Sequence, residues 1–167
     1  YYYDSQWHHP SRCTADWKNP ETVTGYQPLS SLLINAYQKY KRPIILSETS
    51  HPLEDRPDWI WMITDQCSRV MASGIPFWGI CIYPLIDRPD WNQPNLWHRS
   101  GNWDMEITND SLDRIMCEPY AEAILACQKK LPKDHINASF TSVPSISHEP
   151  EETYEEVTEQ DEAPAQL

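Results

Sequence analysis

Glu48 is the residue of this sequence best placed for chemistry, because it follows the apolar run Ile44-Ile45-Leu46 after a single residue, Ser47. Such a run is typical of a strand buried on both faces. Parallel βα folds place their reactive groups where such strands end. A carboxylate there can serve as a nucleophile or as a general acid or base. Two structural roles stay open for Glu48: capping the next helix or pairing with Arg56.

A second chemically rich segment is the loop from Pro84 to Thr108, which combines Trp with Asp, Asn, His and Arg. Its indoles follow no apolar periodicity. An indole face flanked by fixed hydrogen-bonding groups suits a pyranose, which has one apolar face and a rim of hydroxyls. The residues of this loop predicted to contact a sugar are Asp87, Trp91, Trp97, His98 and Arg99. The alternative is that the indoles only pack the loop against the fold.

The first residues of the chain, Tyr1-Tyr2-Tyr3 and Gln6-Trp7, predict the end of a strand and an aromatic, polar loop. They would add phenols, an amide and an indole to the same edge of a sheet. Because the sequence starts on a strand end and without Met, we expect it to be the C-terminal part of a longer protein.

The elements that must position these side chains alternate along the chain. Apolar spacing predicts helices from Pro28 to Pro43, from Pro57 to Gly74 and from about Asp110 to Lys130, the last with a break or a new start at Pro119. Apolar strands are predicted at 44–46 and 75–83. This alternation indicates an α/β fold with a parallel sheet. The sequence Asp-Arg-Pro-Asp-Trp occurs at 55–59 and again at 87–91, which indicates either successive βα units or a coincidence.

Charge and composition exclude several classes of function. The net charge is −12, from 13 Lys+Arg and 25 Asp+Glu. Without a basic stripe, nucleic-acid binding is not expected. No apolar run is long enough to span a membrane, and no signal peptide is visible, which together predict a cytoplasmic protein. No histidine or cysteine spacing suits a metal, and no glycine-rich loop suits a dinucleotide, so no cofactor is expected.

The acidity is concentrated at the carboxyl end. Residues 132–167 hold nine acids and one Lys, a balance of −8, which leaves −4 of the total of −12 for residues 1–131. Such a segment cannot bury enough apolar surface to offset its ordering entropy. We therefore divide the chain into a folded part, 1–131, and a disordered acidic tail, 132–167.

Three short segments together resemble a known group of enzymes. Tyr1-Tyr2-Tyr3 with Gln6-Trp7, then Pro43-Ile44-Ile45-Leu46-Ser47-Glu48-Thr49-Ser50, then Pro76-Phe77-Trp78-Gly79-Ile80 look like the last three strands of a retaining glycoside hydrolase. The clan is the one that includes the family 1 β-glucosidases. The resemblance implies that residues 1–131 form strands six to eight of a (β/α)8 TIM barrel.

The resemblance also implies roles for individual residues. Glu48 matches the nucleophile, Tyr2 or Tyr3 the tyrosine that hydrogen-bonds it, and Trp78 the strand-eight tryptophan near the sugar. Gln6 and Trp7 would join the substrate-binding residues. Two features depart from family 1: the strand ends in Ser-Glu-Thr-Ser instead of Thr-Glu-Asn-Gly, and the loop after strand eight differs.

The implied function is retaining hydrolysis of a glycoside or oligosaccharide. Retention requires a second carboxylate about 5–5.5 Å from the first. In this clan that acid/base residue follows strand four, so we expect it upstream in a longer parent and expect the 167 residues alone to be inactive. One alternative is a non-catalytic carbohydrate-binding or pseudoenzyme barrel. Another is an interaction protein whose acidic tail recruits a basic partner.

Overall fold

The computed structural model describes residues 17–20, 25–108 and 111–131. Helix α1 spans Leu29–Tyr40, strand β1 Ile44–Thr49, a short 3-10 turn Leu53–Asp55, helix α2 Arg56–Ala72 and strand β2 Phe77–Ile82. Strands β3, Trp103–Ile107, and β4, Leu112–Met116, precede helix α3, Glu118–Lys130. The predicted strand end at 1–3 and the predicted tail from 132 lie outside the described residues.

Strands β1 and β2 pair in parallel, and α2 connects them into a βαβ unit. The predicted α/β class is thereby confirmed, although the described residues form only two two-stranded sheets and no closed barrel. Both strands begin after a proline, Pro43 and Pro76, and Ile44 N donates to Pro76 O at 2.9 Å. The two amino ends are thus aligned, and so are the two carboxyl ends.

Helix α2 lies at the centre of the core. Its inner side chains pack against the strands, α1 and α3, because apolar residues recur along it at helical spacing. The fully buried ones are Trp59, Ile63, Cys67 and Val70. Leu46 and Phe77 contribute from the strands, Leu29 from α1 and Tyr120 from α3. None of the helices in the described ranges is both long and apolar enough to cross a membrane.

Strand β1 is not buried on both faces as predicted. Ile45 is 51% exposed, whereas Leu46 and Thr49 are buried. In the described part of the chain the strand packs on helices from one side only, which leaves the other face open.

The predicted helix from Asp110 is wrong over its first half. Residues 112–116 instead pair antiparallel with β3, in register from Trp103↔Met116 to Ile107↔Leu112. Thr108 N donates to Ser111 O at 3.0 Å at the end of this hairpin. Pro119, in the first turn of α3, fixes where the helix begins, because proline fits the first turn but not a helix interior.

Candidate functional site

The candidate site lies at the carboxyl ends of β1 and β2. Thr49 pairs with Ile82, and Tyr83 N donates to Thr49 O at 3.2 Å. Glu48 is the next-to-last residue of β1. It is therefore close to Tyr83, the residue directly after β2. Ligands of open α/β sheets and barrels bind at this edge.

Glu48 occupies an irregularity in the pairing. Between Leu46↔Ile80 and Thr49↔Ile82 two residues of β1, Ser47 and Glu48, face a single residue of β2. One extra residue of this kind changes the side-chain alternation and re-aims the side chains around it. As a result Leu46 and Thr49 are both buried, while Glu48 is half-buried at the strand exit.

The segment after β1 is bound to the loop after β2. Ser50 Oγ donates to Ser100 O at 2.9 Å, and Leu53 N donates to Arg99 O at 2.9 Å. These bonds join residues that are 50 and 46 positions apart in the chain. The backbone on both sides of the site therefore forms one hydrogen-bonded unit.

A buried ion pair holds this unit to α2. Arg56, which is 4% exposed, donates from Nη1 to Asp104 Oδ1 at 2.8 Å and from Nη2 to Asp104 Oδ2 at 3.2 Å. Arg56 Nη1 also donates to Gly101 O, and Nε donates to Leu53 O. Forked geometry of this kind fixes both position and orientation. Arg56 is thus not the partner of Glu48 that the sequence left open, and α2 has no side-chain cap.

Below the site, Trp59 Nε1 donates to Thr49 Oγ1 at 2.9 Å, which fixes the last residue of β1 against α2. His51 packs between Trp17 and Trp59, with ring centroids 5.2 Å from each. Burial there lowers the pKa of the His51 imidazole. The floor of the site is therefore aromatic and favours an uncharged His51.

Asp87 organises the loop after β2. Its buried carboxylate accepts hydrogen bonds from Arg99 N at 2.9 Å and Ser100 N at 3.2 Å. Gly101 is required beside it, because a Cβ there would come within 2.6 Å of Asp87 N. Asp87 thus holds the loop in shape, and its oxygens are already occupied by the backbone.

Asp90 makes a tight turn a few residues later. Its Oδ1 accepts from Asn92 N and Gln93 N, and its Oδ2 lies 2.9 Å from His98 Nε2. The His98 hydrogen bond, followed by the two backbone N–H groups, lowers the pKa of the Asp90 carboxyl. Asp90 is therefore a stable anion that orients His98.

Arg88, which lies between Asp87 and Asp90 in the sequence, stacks on two aromatic rings. Its guanidinium carbon is 5.6 Å from the Tyr83 ring centroid and 5.2 Å from that of Trp91. Its Nε donates to Tyr83 Oη at 3.1 Å and its Nη1 to Pro89 O at 3.0 Å. Trp91 is 78% exposed. The edge thus carries an open surface of two rings and a cation.

The structure brings together most of the residues predicted from the loop. Asp87, Trp91, His98 and Arg99 lie in the segment after β2, and Trp97 bridges to Pro89 within it. Tyr2, Tyr3, Gln6 and Trp7 lie outside the described residues. The sequence did not single out Tyr83 or Arg88. The available signal was the position of Tyr83 as the last residue of the strand predicted at 75–83.

Trp78 lies elsewhere. It is the second residue of β2 and lies close to Ile44 and Ile45 in the strand pairing. The carboxyl end of β2, where Ile82 pairs with Thr49, is four residues further along. Trp78 lines an apolar groove of about 510 Å³ between α2, β2 and α3, together with Ile80 and Ile124. The predicted contact of Trp78 with a sugar stays a prediction.

Solved structures of glycosidases resemble this fold. The family 1 β-glucosidase from Thermotoga maritima is 15% identical, with a TM-score of 0.53, over 75% of this chain and 32% of its own. The described chain folds like part of a family 1 β-glucosidase. Aphid myrosinase is similar as well, 13% identical with a TM-score of 0.55 over 69% of this chain and 28% of its own. No family model and no curated protein matches the sequence.

These comparisons confirm, for the fold, the resemblance that the sequence motifs predict. The chain spans about a third of the length of the β-glucosidase. At such low identity the likeness concerns the fold, and the chemistry has to be argued from the residues.

Proposed function

We propose that this chain contributes part of a retaining glycoside hydrolase, in which Glu48 is the nucleophile. The observation that carries the proposal is the position of Glu48 at the exit of β1, beside Tyr83 and the aromatic segment after β2. In barrel glycosidases of this shape the carboxyl edge is where the chemistry takes place. Arg56, which would have neutralised Glu48 structurally, is bound to Asp104 instead.

In the proposed mechanism the Glu48 carboxylate attacks the anomeric carbon and forms a glycosyl ester as the leaving oxygen is protonated. Water then hydrolyses the ester. Trp91 and Tyr83 would support the apolar face of the sugar, and His98 and Arg99 would reach its hydroxyls. The remaining carboxylate is the acid/base group, which we expect from the part of the barrel that this chain does not contribute.

The direct test is to trap the ester. The protein isolated from its natural source is incubated with an aryl 2-deoxy-2-fluoroglycoside, whose slow second step leaves the sugar on the nucleophile, and is then mapped by peptide mass spectrometry. We expect the label on Glu48 and its loss in Glu48→Gln. Glu54→Gln is the matched control, since Glu54 is exposed six residues further along. A label on another carboxylate, or turnover retained in Glu48→Gln, would overturn the assignment.

A second candidate is non-catalytic carbohydrate binding. The exposed Trp91 ring with Arg88 and Tyr83 favours it, because stacking on a sugar needs no working carboxylate. Sugar binding that depends on Trp91 but shows neither trapping nor turnover in the native protein would select this function over hydrolysis.

A further inference from the structure

Arg88 is held rigidly at the candidate site although it is not part of the core. Its guanidinium stacks on the Tyr83 and Trp91 rings, and two of its nitrogens donate to Tyr83 Oη and Pro89 O. Both N–H groups of the third nitrogen, Nη2, have no partner in the described part of the chain. A stacked and pre-positioned arginine loses little side-chain entropy when it binds a planar anion.

The charge of Arg88 is also unmatched. Within 4.0 Å, the ion pairs of the described residues include Arg56 with Asp104 and Arg99 with Asp104, but none for Arg88. The two carboxylates that adjoin it in sequence are engaged elsewhere. Asp87 accepts from the backbone of Arg99 and Ser100. Asp90 accepts from His98 and two backbone N–H groups. Arg88 is therefore a half-buried cation without a carboxylate partner in the described residues.

We propose that Arg88 makes this site selective for a glycoside that carries an anionic group. This inference rests on the proposed function and names its substrate class. The apolar face of the sugar would lie against Trp91, and a carboxylate or phosphate on the sugar would accept hydrogen bonds from Nη2. Charge-assisted bonds of this kind are about twice as strong as neutral ones.

The test compares sugars that differ in charge, by ligand-detected NMR titration of the intact protein that contains this chain. The probes are methyl β-D-glucoside, methyl β-D-glucuronide, glucose 6-phosphate and inorganic phosphate. We expect at least one of the two anionic sugars to bind about tenfold more tightly than the neutral glucoside at low salt. The preference should fall in 0.5 M NaCl, because the site is exposed. Which anionic sugar binds more tightly distinguishes a carboxylate from a phosphate substrate.

Variants separate the role of Arg88 from general effects of charge. Arg88→Gln should remove the preference, measured for each variant as the ratio of its dissociation constants for the neutral and the anionic sugars. Arg88→Lys should retain only part of it, since an ammonium cannot form the fork. Arg69→Gln is the control, because Arg69 is an exposed arginine near the other end of α2, paired with Asp65. Thermal unfolding of each variant checks that the fold is kept.

Each outcome decides one of the two proposals. Equal binding of neutral and anionic sugars would overturn the anionic selectivity and leave the sugar site standing. Binding of no sugar would overturn the proposed function at this edge. Inorganic phosphate binding as tightly as glucose 6-phosphate would show an anion site that does not recognise the sugar, and would also overturn the inference.

Discussion

The sequence Asp-Arg-Pro-Asp-Trp occurs twice, and its two copies occupy opposite environments. In the copy at 55–59 the arginine and tryptophan are buried, with Trp59 fully inaccessible and Arg56 bound to Asp104. In the copy at 87–91 the first aspartate is buried, whereas Trp91 is 78% exposed and Arg88 lies beside it. The same five residues thus build the fold in one place and an open surface in the other.

The residues directly after each copy explain the difference. After Trp59 the apolar positions continue at helical spacing, so the copy at 55–59 begins α2, and Pro57 fits its first turn. After Trp91 the chain reads Asn92-Gln93-Pro94-Asn95. A proline there cannot continue a helix, and Asp90 instead binds Asn92 N and Gln93 N in a turn. Each copy thus follows one strand of the parallel pair, but only the first begins a helix.

The largest difference between the copies should appear at the tryptophans. Trp59→Ala removes a buried ring and its bond to Thr49 Oγ1, so we expect a loss of about 3–5 kcal/mol in unfolding free energy. Trp91→Ala should stay within about 0.5 kcal/mol, because its ring is exposed. Urea unfolding of both variants measures this. Equal losses would show that Trp91 is part of the core and would contradict the opposite environments of the two copies.

The arginines should differ nearly as much. Arg56→Met leaves Asp104 without its principal buried partner, which costs about 3–5 kcal/mol in unfolding free energy. Arg88→Met removes a cation that has no carboxylate partner in the described residues, so we expect less than about 0.5 kcal/mol. Both are measured by chemical denaturation. A stable Arg56→Met protein would mean that the hairpin β3–β4 does not depend on this ion pair.

For the first aspartate of each copy, Asp55 and Asp87, we expect the larger loss of stability in the second copy. Asp87→Ala leaves the N–H groups of Arg99 and Ser100 without an acceptor, which costs about 2 kcal/mol in unfolding free energy. Asp55→Ala removes an exposed ion pair with Lys18 and should cost less than about 1 kcal/mol. A greater loss from Asp55→Ala than from Asp87→Ala would contradict the inverted burial of the two copies.

Much of the fold is determined by local pattern. The helices α1 and α2 and the strands β1 and β2 agree with the apolar spacing around Pro28, Pro43, Pro57 and Gly74, because each proline or glycine limits an element. The hairpin was missed for a physical reason. Leu112, Ile115 and Met116 have spacing that also fits a helix, and β3 is fixed by Asp104, whose partner Arg56 lies 48 residues away. A pattern of neighbouring residues cannot indicate a contact with a residue so distant in the sequence.

The site was predictable to a similar extent. A carboxylate directly after an apolar strand indicated Glu48, and strand ends in a parallel sheet converge, so the loop after β2 was expected near it. The sequence could not show the slip in strand pairing that sets the position of Trp78 relative to β1. Trp78 lies at the amino end and Tyr83 lies just past the carboxyl end, because the strand begins at Phe77 and its pairing with β1 slips by one residue next to Trp78.

The smallest expected effect concerns the second aspartate of the repeat. The pKa of Asp90 is lowered mainly by its hydrogen bond with His98, so His98→Asn should raise it, as measured by carboxyl ¹³C titration. A carboxyl whose folded pKa is depressed stabilises the fold above its usual pKa of about 3.9 and loses that effect as the pH falls through the lowered value. The stability difference between His98→Asn and the parent should therefore vanish in acid. Arg69→Gln should leave the Asp90 titration unchanged, and an unchanged titration in His98→Asn would show that the backbone N–H groups alone set it.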